Sequence, residues 1–216
     1  MTVSATLSTP DVWEDACKHL AKRDRMMSKL IPTLGAGRLQ SRGDAFTTLA
    51  RSIVGQQISV KSAQAVWDRF VAAMPGAVTP LQPENLLRLP IGDLRLAGLS
   101  ARKAEYLNDL ARHFAAGSVR EHEWAQMPDE AIIKQLVEIR GVGRWTAEMF
   151  LIFHLMRADV LPLDDAGLIK GISVNYFSGE PVSRAEAREV GDAWAPYRTV
   201  ATWFIWRSLD PLPVDS

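Results

Sequence analysis

Two stretches carry residue types and spacings that can do chemistry. Residues 139–153 read IRGVGRWTAEMFLIF, and soon after comes VLPLDDAGLIKGI, with Asp164 and Asp165 side by side. Leu136, Ile139 and Val142 keep a helical period up to the glycines; Thr146, Ala147, Phe150 and Leu151 resume it. Gly141 and Gly143 between them allow backbone conformations that a side chain resists. The pattern predicts helix, tight hairpin, helix. The first amides of the second helix have no partner inside it and point outward. Such a turn can cradle a phosphate on backbone N–H groups. Arg140 and Arg144 flank it and can add charge. A plain glycine-capped connection between helices has the same pattern. The two acids can supply negative charge or a general base, or simply open a helix, where carboxylates are favoured.

The elements around these stretches are helical almost everywhere. PDVWEDACKHLAKRD follows Thr9, a good N-cap residue, and has Pro10 at the first helical position. GDAFTTLARSIVGQQIS and SVKSAQAVWDRFVAAM read as two helices meeting around Ile58–Ser59. PENLLRLP is a short helix between prolines, ARKAEYLNDLARHFAAG ends on Gly117, and PDEAIIKQLVEI begins with Pro128. Ser183 and Glu186 have the spacing of a capping box at the head of the last helical segment. No useful length alternates like a half-buried strand. The expectation is an all-α protein of about ten helices with short connections.

Composition narrows the function classes. The chain has 216 residues with 47% hydrophobic, enough for one large domain or two small ones. Lys+Arg and Asp+Glu both number 25, so a formal net charge of zero gives no global sign of a polyanion partner. Cys17 is the single cysteine, which excludes an internal disulfide and any four-cysteine metal or iron–sulfur site. His19, His113, His122 and His154 show no ligand spacing, so no metal site is expected. No apolar run reaches the roughly 20 residues of a membrane span, and the N-terminus does not read as a signal peptide. A cytoplasmic setting is expected, bacterial cytoplasm or nucleoid, or the nucleus in a eukaryote.

Taken in order, these motifs resemble a family. LVEIRGVGRWTAEMF resembles the helix–hairpin–helix of the HhH-GPD superfamily of DNA glycosylases, and VLPLDDAGLIKGI resembles the loop that carries its essential aspartate. FTTLARSIVGQQISVKSAQAVWDRF is similar to the helix pair bearing the DNA-probing loop. LRLAGLSARKAEYLNDLA and WAPYRTVATWFIWR look like the 3-methyladenine DNA glycosylase II branch. The resemblance covers roughly residues 10–210, without the extra N-terminal β-rich domain of longer members.

The resemblance implies a two-lobed helical fold with the active site in the cleft between lobes. Residues 1–43 would pack on the C-terminal lobe, 44–158 would form a central lobe ending in the hairpin, and 159–216 would carry the catalytic acid. It implies that Asp165 is catalytic, with Asp164 as neighbour and a candidate helix cap. It implies DNA phosphate binding by Gly141, Val142, Gly143, Arg144 and Thr146, and a base pocket lined by Trp145 and Trp206. Met149 and Ala166 stand where tyrosines can occur in the family, which suggests a wider, less aromatic pocket. Gln57, with Ile58 beside it, corresponds to the wedge that fills the stack when a base leaves. The other tryptophans, Trp13, Trp67, Trp124, Trp194 and Trp203, are assigned to packing.

Bifunctional members carry a lysine nucleophile at the position of Trp145. Tryptophan cannot attack as an amine, so the resemblance implies hydrolysis without strand cleavage. The expected partner is double-stranded DNA containing alkylated bases, acted on by a monomer. No catalytic cofactor is expected; a monovalent cation at the hairpin carbonyls fits the superfamily. Two other readings stay open here: a glycosylase for a neutral oxidised or mismatched base, and a helix–hairpin–helix protein that binds DNA without catalysis.

Overall fold

The computed structural model describes residues 5–35, 37–75 and 80–209. In chain order the helices are α1 (Pro10–Arg23), α2 (Met27–Leu34), α3 (Ala45–Gly55), α4 (Val60–Ala73), α5 (Pro83–Leu87), α6 (Ile91–Leu96) and α7 (Ala101–Ala115). A 3-10 turn, Glu121–Gln126, precedes α8 (Asp129–Leu136), α9 (Arg144–Phe153), α10 (Ala166–Tyr176), α11 (Arg184–Asp192) and α12 (Arg198–Leu209). Among the described residues the only β-pairing is an isolated antiparallel bridge between Thr6 and Arg157. The all-α expectation holds.

Several boundaries follow the residues that marked them. Ser183 and Glu186 form the complete capping box of α11. Asp44 and Ser59 cap α3 and α4 by accepting from the amides of Thr47 and Ser62. Thr9 stands at the N-cap of α1 with no side-chain cap bond, and Pro10 supplies the start instead. Pro128 is the residue before α8 rather than its first. The last helical segment divides in two, with Pro196 in the gap between α11 and α12.

The chain forms two compact units. One is Arg42–Phe150; the other combines residues 5–41 with 151–209. The division falls between Phe150 and Leu151, inside α9, rather than at 158 as expected from the resemblance. The reason lies in the segment after α9: Leu7 N–H donates to Met156 O at 2.7 Å and Ala158 N–H to Ala5 O at 2.9 Å, tying it to the N-terminal stretch.

The first unit packs α3 and α5 against α7, with Phe46, Leu49, Ile53, Phe70, Leu86, Leu107 and Leu110 buried. Phe46 meets Phe114 edge-on at 5.3 Å, and Trp124 meets Phe150 likewise at 5.3 Å. Trp124 is buried and satisfies its N–H on Gln135 Oε1 at 2.7 Å. In the second unit α12 runs against α1, α2 and α10. Its centre is aromatic: Trp13 meets Trp203 edge-on at 5.2 Å, and Trp203 meets Phe204 at 4.9 Å. Asp24 accepts from the Tyr176 hydroxyl at 2.9 Å and the Trp194 N–H at 3.1 Å, joining the α1–α2 turn to α10 and to the stretch after α11. Burial, with the Asp24 carboxylate beside it, pushes the Tyr176 hydroxyl well above its ordinary pKa.

Candidate active site and nucleic-acid interface

Asp165 is the N-cap of α10, and its Oδ1 accepts from Leu168 N–H at 2.6 Å. The same oxygen accepts from the Trp206 indole N–H at 2.8 Å. The carboxylate is half-buried and held by donors from α10 and α12. Trp206 stacks on Phe153, with centroids 5.8 Å apart and ring planes within 10° of parallel. Asp164 does not cap α10; it is exposed and forms an ion pair with Arg184 at the head of α11. The two acids therefore have separate surroundings. Ala166, exposed, opens α10 directly after the acid.

The placement of α12 depends on residues with no sequence motif. Arg198 makes a two-pronged bond to Asp159, Nε to Oδ1 at 2.7 Å and Nη2 to Oδ2 at 2.8 Å. The Thr199 hydroxyl donates to Arg157 O at 2.6 Å and accepts from Val160 N–H at 3.0 Å. Together these pin the first turn of α12 to the segment 157–160, a few residues before Asp165. Only the pairing itself reveals their role, because Asp159 and Arg198 are 39 positions apart.

In the first unit the hairpin forms as expected. Gly141 has φ +88, and a Cβ there would sit 2.2 Å from the Tyr106 ring, so both conformation and space require glycine. Gly143 differs: a Cβ there meets nothing within 4 Å. Gly143 O accepts from Ala147 N–H at 3.0 Å, which makes Gly143 the residue that opens α9. By helix geometry the amides of this first turn, which begins at Gly143, point out along the axis beside that open ground. Val142 is buried, and its N–H donates to Ile139 O at 3.1 Å, so it builds the hairpin rather than facing solvent. Thr146 is also buried, so its contribution toward a phosphate is limited to its backbone.

Both flanking arginines are tied internally. Arg144 Nη1 donates to Glu130 Oε2 at 3.0 Å, Nη2 pairs with Oε1 of the same carboxylate, and Nε donates to Glu148 Oε1 at 2.9 Å. Arg140 Nη2 pairs with Glu105 at 3.3 Å, and its N–H donates to Asp109 at 2.8 Å. The hydrogen bond from Arg144 pulls the Glu130 carboxyl below its ordinary range.

The turn between α3 and α4 lies beside the hairpin. Gln57 has φ +58, an uncommon value for a residue with a side chain, and is exposed; Ile58 is 39% exposed. Beneath them Lys103 Nζ donates to Val54 O and Gln56 O, each at 2.7 Å, closing the carbonyl end of α3. Gln56 Nε2 donates to Gly141 O at 2.9 Å. A groove of about 500 Å³ runs here, lined by Gln57, Arg102, Tyr106 and Gly143 among others. Carbonyl oxygens retain a second lone pair after one hydrogen bond. Ile139 O and Gly141 O each accept one such bond, from Val142 N–H and from Gln56 Nε2.

The tryptophans sort by exposure. Trp13, Trp67, Trp124, Trp194 and Trp203 are buried, as assigned. Trp145 is 44% exposed and Trp206 is partly so. Met149, half-buried, follows Trp145 by one helical turn on the same face of α9.

Residues 50–196 match the family described as HhH-GPD superfamily base excision DNA repair protein. The chain belongs to that superfamily. DNA-3-methyladenine glycosylase 1 of Schizosaccharomyces pombe is 30% identical over 194 residues, covering 88% of this chain and 85% of the relative. The structure of the Schizosaccharomyces pombe 3-methyladenine DNA glycosylase in complex with abasic DNA superposes with a TM-score of 0.80 at 29% identity, covering 90% of this chain and 96% of that one. A DNA-3-methyladenine glycosidase from Bacillus halodurans gives a TM-score of 0.81 at 34% identity, covering 97% and 93%.

Proposed function

We propose that this protein is a monofunctional DNA glycosylase of base excision repair, releasing alkylated purines such as 3-methyladenine from double-stranded DNA. The observation that carries the reading is Asp165, a half-buried carboxylate clamped by Leu168 N–H and Trp206 N–H in a chain with tryptophan, not lysine, at position 145. A base inside a duplex is out of reach, so the damaged nucleotide must leave the stack. Gln57 fills the gap, with Ile58 beside it; its exposure, its left-handed backbone and the Lys103 bonds to Val54 O and Gln56 O just before it support this role. The hairpin amides around Gly143 hold a phosphate and set the register without reading sequence.

Breaking the N-glycosidic bond passes through an oxocarbenium-like sugar. The Asp165 carboxylate stabilises that cation and orients or deprotonates the attacking water. A 3-alkylated adenine is already cationic and leaves as a neutral base, so a strong general acid is not required. Trp145 and Trp206 offer π faces to such a cation. With no amine at position 145, the product is an intact strand bearing an abasic site. The protein acts as a monomer. Among the described residues no helix is long and apolar enough to cross a membrane.

The test is release of free base from duplexes that carry methylated, oxidised or mismatched bases. Release from methylated DNA alone, with no borohydride-trapped covalent complex, is expected. Preferential release of an oxidised or mismatched base, or a trapped Schiff base, overturns the reading.

A further inference from the structure

The base-pocket role suggested for Trp206 makes use of its ring face, yet its best-defined contact is made by its edge. The indole N–H reaches Asp165 Oδ1 at 2.8 Å, on the oxygen that already accepts from Leu168 N–H at 2.6 Å. One donor belongs to the backbone of α10 and the other to a side chain of α12. Two donors on one oxygen leave the carboxylate little freedom to rotate, so the position of Oδ2 is fixed as well.

Trp206 is itself held. Its ring stacks on Phe153, and α12 is pinned at its first turn by the Asp159–Arg198 bond. The helices can come together because of glycine. A Cβ at Gly167 would stand 3.1 Å from Asp165 Oδ1, 3.3 Å from Trp206 Cδ1 and 3.4 Å from Trp206 Nε1. Gly167 has no left-handed backbone to require glycine; a Cβ there would crowd the acid–indole bond, whose partners would have to give by a few tenths of an ångström. One turn on, a Cβ at Gly171 would meet Ile205 Cγ2 at 2.3 Å, so a second glycine keeps α10 close to α12.

We infer that Trp206 is a positioning residue whose indole N–H aims the Asp165 carboxylate, and that Gly167 is glycine to admit that bond. The inference rests on the reading of Asp165 as the catalytic acid. It separates two roles in one side chain. Stacking of a leaving base would depend on which base leaves. Aiming the carboxylate affects the sugar cation, which is common to every substrate.

The experiment measures single-turnover base release, with enzyme in excess, for duplexes containing 3-methyladenine or 7-methylguanine. Trp206→Phe keeps an aromatic ring for Phe153 but removes the donor. Gly167→Ala keeps the donor and crowds the bond. Each is expected to slow release by about tenfold to a hundredfold, the scale of a misplaced catalytic group. The factor should be the same for both bases, and affinity for abasic-site DNA should change less than threefold. On an Asp165→Asn background neither substitution should slow the residual rate further.

Should Trp206→Phe fail to fold, Gly167→Ala carries the test. Wild-type release by well-folded variants, with Asp165→Asn inactive, overturns the positioning role alone. A loss that differs between the two bases also overturns it and leaves a stacking role. Near-normal release by Asp165→Asn overturns the underlying reading of the acid instead.

Discussion

The side-chain amide of Gln56 donates to the carbonyl of Gly141 at 2.9 Å, across 85 positions of sequence. It joins the turn that displays Gln57 to the hairpin that opens α9. On the proposed reading, a phosphate anchored at the hairpin and a side chain inserted from the turn would be held in a fixed relation. Register set by one is transmitted to the other through a bond between two backbone-like groups.

Asp165→Asn should abolish base release while DNA binding persists. The loss should be at least about 3 kcal/mol of transition-state stabilisation, roughly a hundredfold or more in single-turnover rate. Asparagine caps helices as well as aspartate does, so Leu168 N–H keeps an acceptor and the melting temperature should hold. Asp164→Asn, which loosens only the pair with Arg184, should leave the rate near wild type.

The two hairpin glycines should behave differently. Gly141→Ala forces a methyl group into the Tyr106 ring on a left-handed backbone, and should cost several kcal/mol of stability, read as a fall in melting temperature. Gly143→Ala has open space and should fold normally. Because the methyl group occupies the ground a phosphate would approach, it should weaken binding to damaged and undamaged duplexes by the same factor. Unchanged affinity in folded Gly143→Ala would remove the hairpin as the phosphate anchor.

Glu130 restrains Arg144, and releasing it should have two measurable effects. The folded carboxyl lies below its ordinary value of 4.5, held there first by the hydrogen bond from Arg144. A depressed carboxyl stabilises fully above that ordinary value and loses its contribution as pH falls through the lower, folded one. Wild type should thus exceed Glu130→Gln in stability at neutral pH, with the gap closing in acid. Both partners are well exposed, so the gap should stay under about 1 kcal/mol. Glu130→Gln should also bind duplex DNA more tightly, with a log–log salt slope steeper by about 0.9 if the guanidinium takes up one phosphate.

Lys103→Met should loosen the Gln57 turn. It removes two bonds to the carbonyl end of α3, and leaving such acceptors unmet costs about 1–3 kcal/mol each where water cannot replace the lysine. Burial pushes the Lys103 ammonium below its ordinary pKa. Melting temperature should fall, and a fluorescent base analogue beside the lesion should report slower flipping. A normal flipping rate in this variant would detach the turn from the extrusion step.

Local signals were legible in the sequence, and long-range pairing was not. Helical period, Ser183 with Glu186, and the Gly-X-Gly turn act within a few residues, so they marked α11 and the hairpin correctly. The order of motifs also pointed to Asp165, and the structure adds that it caps α10. Asp164 was a reasonable alternative cap because neighbouring acids look alike until Arg184 is seen to take one of them. Arg144 read as a phosphate ligand because Glu130, which engages it, lies 14 positions upstream. Val142 read as a phosphate contact because its place between two glycines does not show that its amide turns inward to Ile139. The Trp206 N–H bond to Asp165 spans 41 positions, and the resemblance pointed only to a base-pocket role for this tryptophan.

The internal pairing of Arg140 and Arg144 bears on how the protein would search a genome. Cationic side chains bound to phosphates lengthen every visit to undamaged duplex, because each departure must recapture counterions. Here the guanidiniums beside the hairpin already face carboxylates, on a chain whose net charge is zero. On the proposed reading, the grip on the backbone beside the hairpin would rest mainly on neutral amides around Gly143. Short visits would follow, with many sites sampled for each one at which a nucleotide is extruded.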